Sequence, residues 1–117
     1  MAGPINPTII TFNAPTEYVE QNGVTTPIPP GGIARYEYGF AQVATGPFSR
    51  IVTDTDFTPD ANGQQTHNLN LSGFAFGQWY AAGRAVSSDN AVSAWSNVAP
   101  FEVQPKEPKA PTGFSVA

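Results

Sequence analysis

The chain has 117 residues, enough for one domain with a two-layer core, and it contains no cysteine, which excludes disulfides and thiolate metal sites. Its net charge is −4 and its five basic residues are scattered from Arg35 to Lys109, which argues against nucleic-acid and anionic-membrane partners, because both need clustered Lys and Arg. No run approaches the roughly 18 apolar residues of a membrane span, and the opening residues lack the basic and apolar stretches of a secretory signal.

Turn-forming residues divide the chain into short segments of alternating polarity. There are 12 prolines and 11 glycines, and no window keeps helical spacing without one of them interrupting it. Alternation predicts β-strands at residues 8–14, 33–43, 48–53, 66–71, 78–86 and 93–103. The segments between them, including a long proline- and glycine-rich connection before residue 33, are predicted to be turns and loops. The chain is therefore predicted to be all-β, an antiparallel two-sheet sandwich of about seven strands.

The inward faces of these strands predict the hydrophobic core. Phe12 shares one face of the first strand with Ile10, and Tyr36, Tyr38 and Phe40 share one face of the second at a period of two. The predicted core residues are Phe12, Tyr36, Phe40, Leu69, Leu71, Trp79 and Phe101.

Residues 77–103 carry the most specific pattern in the chain. Gly77 and Trp79 open one strand, Arg84-Ala85 lies near its end, and Ser93-Ala94-Trp95-Ser96 leads into the next. This run resembles the last hairpin of a fibronectin type III domain. The resemblance implies an Ig-like β-sandwich, a fold that serves connectors and binding modules far more often than enzymes. Fold alone does not decide function, so the site must be considered separately.

The register of the penultimate strand follows from the same comparison. In this family a tyrosine commonly forms the corner before that strand. Alignment on Arg84-Ala85 gives the corner to Trp79, and it turns a row of small residues inward (Ala81, Gly83 and Ala85). A shift of one residue makes Tyr80 the corner and turns Arg84 inward, and burying an unpaired charge is costly. We therefore predict that Trp79 occupies the corner.

Four oxygen-bearing side chains lie within nine residues of one another in the predicted loop before the 66–71 strand: Asp54, Asp56, Asp60 and Asn62. Carboxylate and amide oxygens are the ligands that Ca²⁺ prefers, so this loop is a candidate calcium site. The spacing is not that of an EF-hand, and Asp and Asn also stabilise turns by bonding their own backbone. The turn interpretation is therefore favoured, calcium binding stays the alternative, and no cofactor is expected.

Catalysis has little support in the sequence. His67 is the only histidine and lies in a predicted strand with no nucleophile motif beside it. A partly exposed structural histidine is the simpler interpretation, and we expect no enzyme activity.

Trp95 is the candidate surface aromatic, because exposed rings can stack on sugar faces. The alternative is that its ring packs over the guanidinium of Arg84 on the neighbouring strand, and this alternative is favoured because a lone ring without amides makes a poor sugar site.

The C-terminal residues suggest a separate role. We divide the chain into a sandwich (1–103), a proline-containing linker (104–109) and a strand-like tail (110–117). The tail resembles the opening strand of a fibronectin type III domain, whereas few residues precede the 8–14 strand. The tail could be the start of a second domain, could fold back on its own sandwich, or could add to the open edge of a neighbouring subunit. Its candidate interaction residues are Ala110, Thr112, Phe114 and Val116.

These features favour a non-enzymatic structural module that associates with copies of itself or with a larger assembly. Fibronectin-like domains occur on bacteriophage heads and tails, and the low charge and cysteine-free composition resemble such virion proteins. The expected location is a virion assembled in the host cytoplasm, with protein partners and neither nucleic acid nor membrane. The alternative is an extracellular carbohydrate-binding or linker module from a larger bacterial enzyme.

Overall fold

The computed structural model of the chain describes residues 3–57 and 63–117, and within them it contains eight β-strands and no helix. In chain order the strands are β1 (Ile9–Asn13), β2 (Glu17–Val19), β3 (Thr25–Pro27), β4 (Ile33–Ala41), β5 (Arg50–Asp54), β6 (Gln64–Asn68), β7 (Gly77–Ser87) and β8 (Ala99–Val103). The prediction of an all-β chain is confirmed. No helix long and apolar enough to cross a membrane occurs in the described part of the chain.

All strand pairs are antiparallel. A four-stranded sheet has the order β5-β4-β7-β8, β1 pairs with β6, and β2 and β3 form a separate hairpin. The β1-β6 layer packs on the four-stranded sheet through Phe12, whose ring centroid lies 4.8 Å from that of Tyr36 and 5.8 Å from that of Tyr38. The arrangement is that of two β-layers enclosing an aromatic core.

The core follows the predicted alternation along β4. Tyr36, Tyr38 and Phe40 are buried on one face of this strand. Trp79 and Phe101, which lie opposite each other on β7 and β8, are buried in the same cluster. The remaining predicted core residues, Phe12, Leu69 and Leu71, are partly buried and pack against that cluster.

Trp79 occupies the predicted corner. Its buried indole donates a hydrogen bond from Nε1 to the carbonyl oxygen of Ala75, four residues upstream, at 2.8 Å. An indole N–H thus bonds back to the chain as a tyrosine hydroxyl would in a tyrosine corner. The strand register agrees, since Gly83 lies opposite the inward-facing Tyr38 and Arg84 lies opposite Glu37 on the outer face.

Three local predictions were wrong. The connection before β4 was predicted without strands, but it contains the short β2-β3 hairpin around the Asn22-Gly23 turn. Residues 93–98 were predicted as part of the last strand, but regular strand structure begins only at Ala99. Leu69 and Leu71 lie beyond the end of β6 rather than within it. In residues 93–97 the β7 backbone bonds serine side chains, which alternation alone does not reveal.

The last residues leave the sandwich. From Pro105 to Ala117 every residue is exposed and none belongs to a strand. The molecule accordingly measures 78 Å along its longest axis and 32 and 21 Å along the others.

Candidate interaction site

As far as the structure describes the chain, the smaller layer has only two strands, so β1 is an edge strand. β1 pairs with β6 on one side, and no strand among the described residues pairs with its other side. Ile9, at the start of β1, has 51% of its surface exposed. An edge of this kind presents unpaired N–H and C=O groups that can accept a further strand.

The open edge of β1 borders a groove between the two layers, which we call the β1 groove. Its volume is about 660 Å³, within the range of about 300–1,000 Å³ common for small-molecule sites. Inward side chains of β1 (Ile10 and Phe12) form one wall and residues 93–100 form the other. Its floor includes Tyr36, Tyr38, Ala81, Gly83, Ala85 and Phe101.

Small residues on β7 create the depth of the groove. Ala81, Gly83 and Ala85 lie opposite Phe40, Tyr38 and Tyr36 in the β4-β7 register, so small and aromatic side chains alternate across the pair. Ala81 and Ala85 are only partly buried, although they lie on the inner face of the sandwich. The inner face of β7 is thus left uncovered along the groove.

The second wall is held by two serines. Ser93 donates its N–H to the carbonyl of Ala85 and accepts the Ala85 N–H on its Oγ, both at 2.9 Å. Ser96 repeats the exchange with Gly83 at 2.8 and 2.9 Å. Because hydroxyl oxygens replace backbone carbonyls, residues 93–97 follow β7 without becoming a strand. Sequence alternation could not reveal this role, although the Ser-x-x-Ser spacing is visible in hindsight.

The end of the groove beside β8 is closed by residues 4–6. Ile5 forms a parallel bridge with Glu102 of β8. The Asn6 N–H donates to the carbonyl of Glu102 at 2.8 Å, and the Glu102 N–H donates to the carbonyl of Pro4 at 2.9 Å. These residues therefore cover only the part of the groove beside β8, and the part beside β1 stays open.

A side-chain clamp fixes the start of the linker. The Asn6 side chain accepts the N–H of Gln104 at 2.9 Å and donates its own amide to the Gln104 carbonyl at 3.1 Å. The amide thereby reproduces the paired hydrogen bonds of a strand, and the chain direction is fixed up to Gln104. We call this end of the sandwich, where β8 ends and β1 begins, the exit pole.

The predicted interaction residues lie beyond the exit pole. Phe114 and Val116 are 87% and 88% exposed, the highest values among the exposed large hydrophobic residues, and Ala110 and Thr112 are exposed as well. No residue after Gln104 takes part in a hydrogen bond within the described part of the chain. The structure therefore does not bring the tail into its own β1 groove, and strand formation by the tail stays a prediction.

Among the calcium candidates, Asp54 is engaged in contacts with the protein itself. The Oδ2 of Asp54 accepts a hydrogen bond from the buried Tyr38 hydroxyl at 2.7 Å and contacts Nδ1 of His67 at 3.2 Å. Its Oδ1 accepts the backbone N–H of Asp56 at 3.1 Å, the turn interaction that the sequence offered as the alternative to metal binding.

Of the other calcium candidates, the structure describes only Asp56. Asp56 is exposed, and Asp60 and Asn62 lie outside the described residues. Within the described ranges, no group of three His, Asp or Glu side chains is arranged to hold a metal ion.

Asp54 instead joins the two layers. Tyr38 lies on β4, Asp54 on β5 and His67 on β6, so this carboxylate connects the four-stranded sheet to the smaller layer. Burial, reinforced by the hydrogen bond to the Asp54 carboxylate, raises the pKa of Tyr38 far above its usual value. His67 is thus engaged in a structural contact, as its simpler interpretation from the sequence predicted.

Trp95 packs as predicted from the sequence. The Arg84 guanidinium lies 4.2 Å from the centre of its ring, and Phe48 packs against it with centroids 4.6 Å apart. The same guanidinium pairs with Glu37 at 2.7 Å, and hydrogen bonds from Arg84 and Arg35 lower the pKa of the Glu37 carboxyl. One face of the indole is therefore covered by a cation, and that face is not open to sugar stacking.

Comparisons with known proteins identify no relative of this chain. No family model, no curated protein and no solved structure matches it.

Proposed function

We propose that this protein is a non-enzymatic structural module that associates with copies of itself through its C-terminal strand. The observation that supports the proposal is the presence, in one chain, of an open β1 groove and a detached tail of matching length and polarity. β1 has five residues, and the alternating part of the tail, Thr112 to Val116, also has five. Strand addition of this kind joins an extended segment to an exposed sheet edge.

The energetic gain comes from the two apolar side chains of the tail and from the free edge. Burying Phe114, which is 87% exposed, stabilises an assembly by about 1.5–3 kcal/mol, and each new backbone hydrogen bond adds about 0.5–1.5 kcal/mol. Pairing also removes the association hazard of an unpaired edge strand. A tail that leaves one copy and enters the next makes a head-to-tail contact, which gives rings or filaments.

Insertion of the tail into its own groove antiparallel to β1 is disfavoured by distance. The chain leaves β8 at Val103, opposite Gly77, whereas the far end of the groove lies at Ala85, eight residues along β7. Eight strand residues span about 26 Å. The six linker residues span at most about 20 Å, and the chain would have to reverse direction twice. A second copy stacked on the exit pole is within reach.

Deletion of residues 105–117 tests the proposal. The full chain should show a concentration-dependent mass in multiples of 12.4 kDa by light scattering, whereas the truncated chain should remain a soluble monomer of reduced stability. A matched control variant carries Val19→Ser and Val24→Ser. These substitutions remove a comparable amount of exposed apolar surface, but from the β2-β3 hairpin rather than from the tail. The control should assemble like the parent. Equal assembly by the truncated chain would contradict the proposal.

The setting we propose is a bacteriophage virion, as a decoration, head or tail component. It is supported by the sequence resemblance to fibronectin-like domains of such particles. A position of the gene among virion structural genes is the expected observation. A position beside carbohydrate-active enzymes would favour the extracellular linker module instead.

A further inference from the structure

The hydrogen-bond pattern of β1 identifies which backbone groups are free. Along the β1-β6 pair, the Ala14 N–H bonds the Gly63 carbonyl and the Leu69 N–H bonds the Thr8 carbonyl. Bonded pairs alternate in an antiparallel ladder, so the even-numbered residues from Thr8 to Ala14 bond toward β6. The residues whose N–H and C=O groups point to the open edge are Ile9, Thr11 and Asn13.

The direction of an added strand follows from the exit pole. β8 ends and β1 begins at that pole, so β1 runs opposite to the chain that leaves β8. A second copy stacked on the exit pole in the same orientation receives the tail antiparallel to its own β1. In this antiparallel pairing, every second residue of the tail can exchange backbone hydrogen bonds with the free N–H and C=O groups of β1.

Two registers of the tail against β1 turn Phe114 and Val116 inward, and the position of Pro111 decides between these registers. Phe114 must lie opposite Phe12 or Ile10, because these are the β1 side chains that face the core. If it lies opposite Ile10, Pro111 falls opposite Asn13, where a donor is needed, and proline has no N–H. If it lies opposite Phe12, the residues opposite the three free positions of β1 are Gly113, Ser115 and Ala117, all of which have an N–H.

We infer that the tail of a second copy binds the β1 groove antiparallel to β1, with Phe114 opposite Phe12 and Val116 opposite Ile10. This inference rests on the proposed function and specifies its acceptor site. Phe114 then covers the inner face of β7 beside Gly83 and Ala85, which the fold leaves open. Ser115 lies opposite Thr11 on the outer, solvent-facing side of the completed layer.

Engineered cysteines test this register directly, because the chain has no cysteine of its own. A tagged Thr11→Cys variant is mixed with an untagged Ser115→Cys variant and oxidised, and the products are separated on a non-reducing gel. The matched control mixes Thr11→Cys with Gly113→Cys, the pair that faces each other in the rejected register. We expect the mixed dimer with Ser115→Cys at least several-fold in excess over the control, since directly opposite residues lie about 5.5 Å apart.

The outcomes separate this inference from the proposed function. If the tail is required for assembly by light scattering but the Gly113→Cys pair links better, or neither pair links, the register is wrong and the proposed function stands. If the full chain does not assemble, both fail. A chain carrying both Thr11→Cys and Ser115→Cys that closes only on itself would also overturn both, because it would place the tail in its own groove.

Phe114→Ala gives a second readout that does not depend on disulfide chemistry. Loss of the buried ring should weaken association by about 10- to 100-fold, while Ser115→Ala, on the outer face, should change it by less than about threefold. Equal effects of the two substitutions would contradict the inward placement of Phe114.

Discussion

The hydrogen bond between Tyr38 and Asp54 offers a sharp test of how the two layers are held together. In Tyr38→Phe the ring is kept, but the hydroxyl that donates to the Asp54 carboxylate at 2.7 Å is lost. A hydrogen bond to a charged group contributes about 1.5–3 kcal/mol to stability. We therefore expect the free energy of unfolding to fall by about 1.5–3 kcal/mol.

Tyr18→Phe is the matched control for this substitution. Its hydroxyl donates to the neutral backbone carbonyl of Gly32 at 3.1 Å and is part-buried, so its removal should cost only about 0.5–1.5 kcal/mol. Urea denaturation followed by tryptophan fluorescence at neutral pH, on the chain lacking residues 105–117, measures both variants as monomers. If the free energy of unfolding falls equally in the two variants, or less in Tyr38→Phe, the expected contribution of the Tyr38–Asp54 hydrogen bond to stability is wrong.

Three further predictions concern the aromatic core and the outer face. Gly39→Ala should destabilise the fold by about 1–3 kcal/mol, because the new methyl would lie 2.6 Å from the Phe48 ring; a neutral effect by urea denaturation would contradict the packing described. Trp79→Phe should lower the free energy of unfolding by about 1–3 kcal/mol, because the indole hydrogen bond and part of the ring volume are lost. An unchanged melting temperature would contradict the role of Trp79 at the corner. Since burial raises the pKa of both Tyr36 and Tyr38, the unfolded chain loses these protons first as pH rises above about 10, so stability should fall by up to about 1.4 kcal/mol per pH unit for each residue. A flat stability curve between pH 9 and about 11 would contradict this.

The sequence was sufficient for the parts of the fold that are decided locally. Alternation located β1, β4 and β7 to within two residues, and the cost of burying Arg84 selected the correct register for the penultimate strand. Phe74, which is buried against Phe40 and Trp79, was missed because it lies in a turn with no periodicity around it. A turn residue enters a core only when distant strands meet around it.

Of the two parts of the candidate site, the sequence predicted the tail but not the β1 groove. Exposure and alternation identified the tail and its apolar residues, because those properties belong to one segment. The β1 groove could not be predicted in detail, since its shape depends on how far Ser93 and Ser96 hold residues 93–97 from β1. Likewise, nothing local shows that Asp54 will meet Tyr38 and His67, which are 16 and 13 residues away in the chain.

The Asn6 clamp on Gln104 has a consequence for how tightly a tail can bind. Because the Asn6 amide bonds both the N–H and the C=O of Gln104, the departing segment has a fixed starting point and direction. Pro105, Pro108 and Pro111 then fix their own φ and favour extended conformations in the residues before them, so residues 104–111 act as a semi-rigid spacer. A tail carried on a restricted spacer loses less orientational entropy on docking, so more of its contact energy remains as affinity.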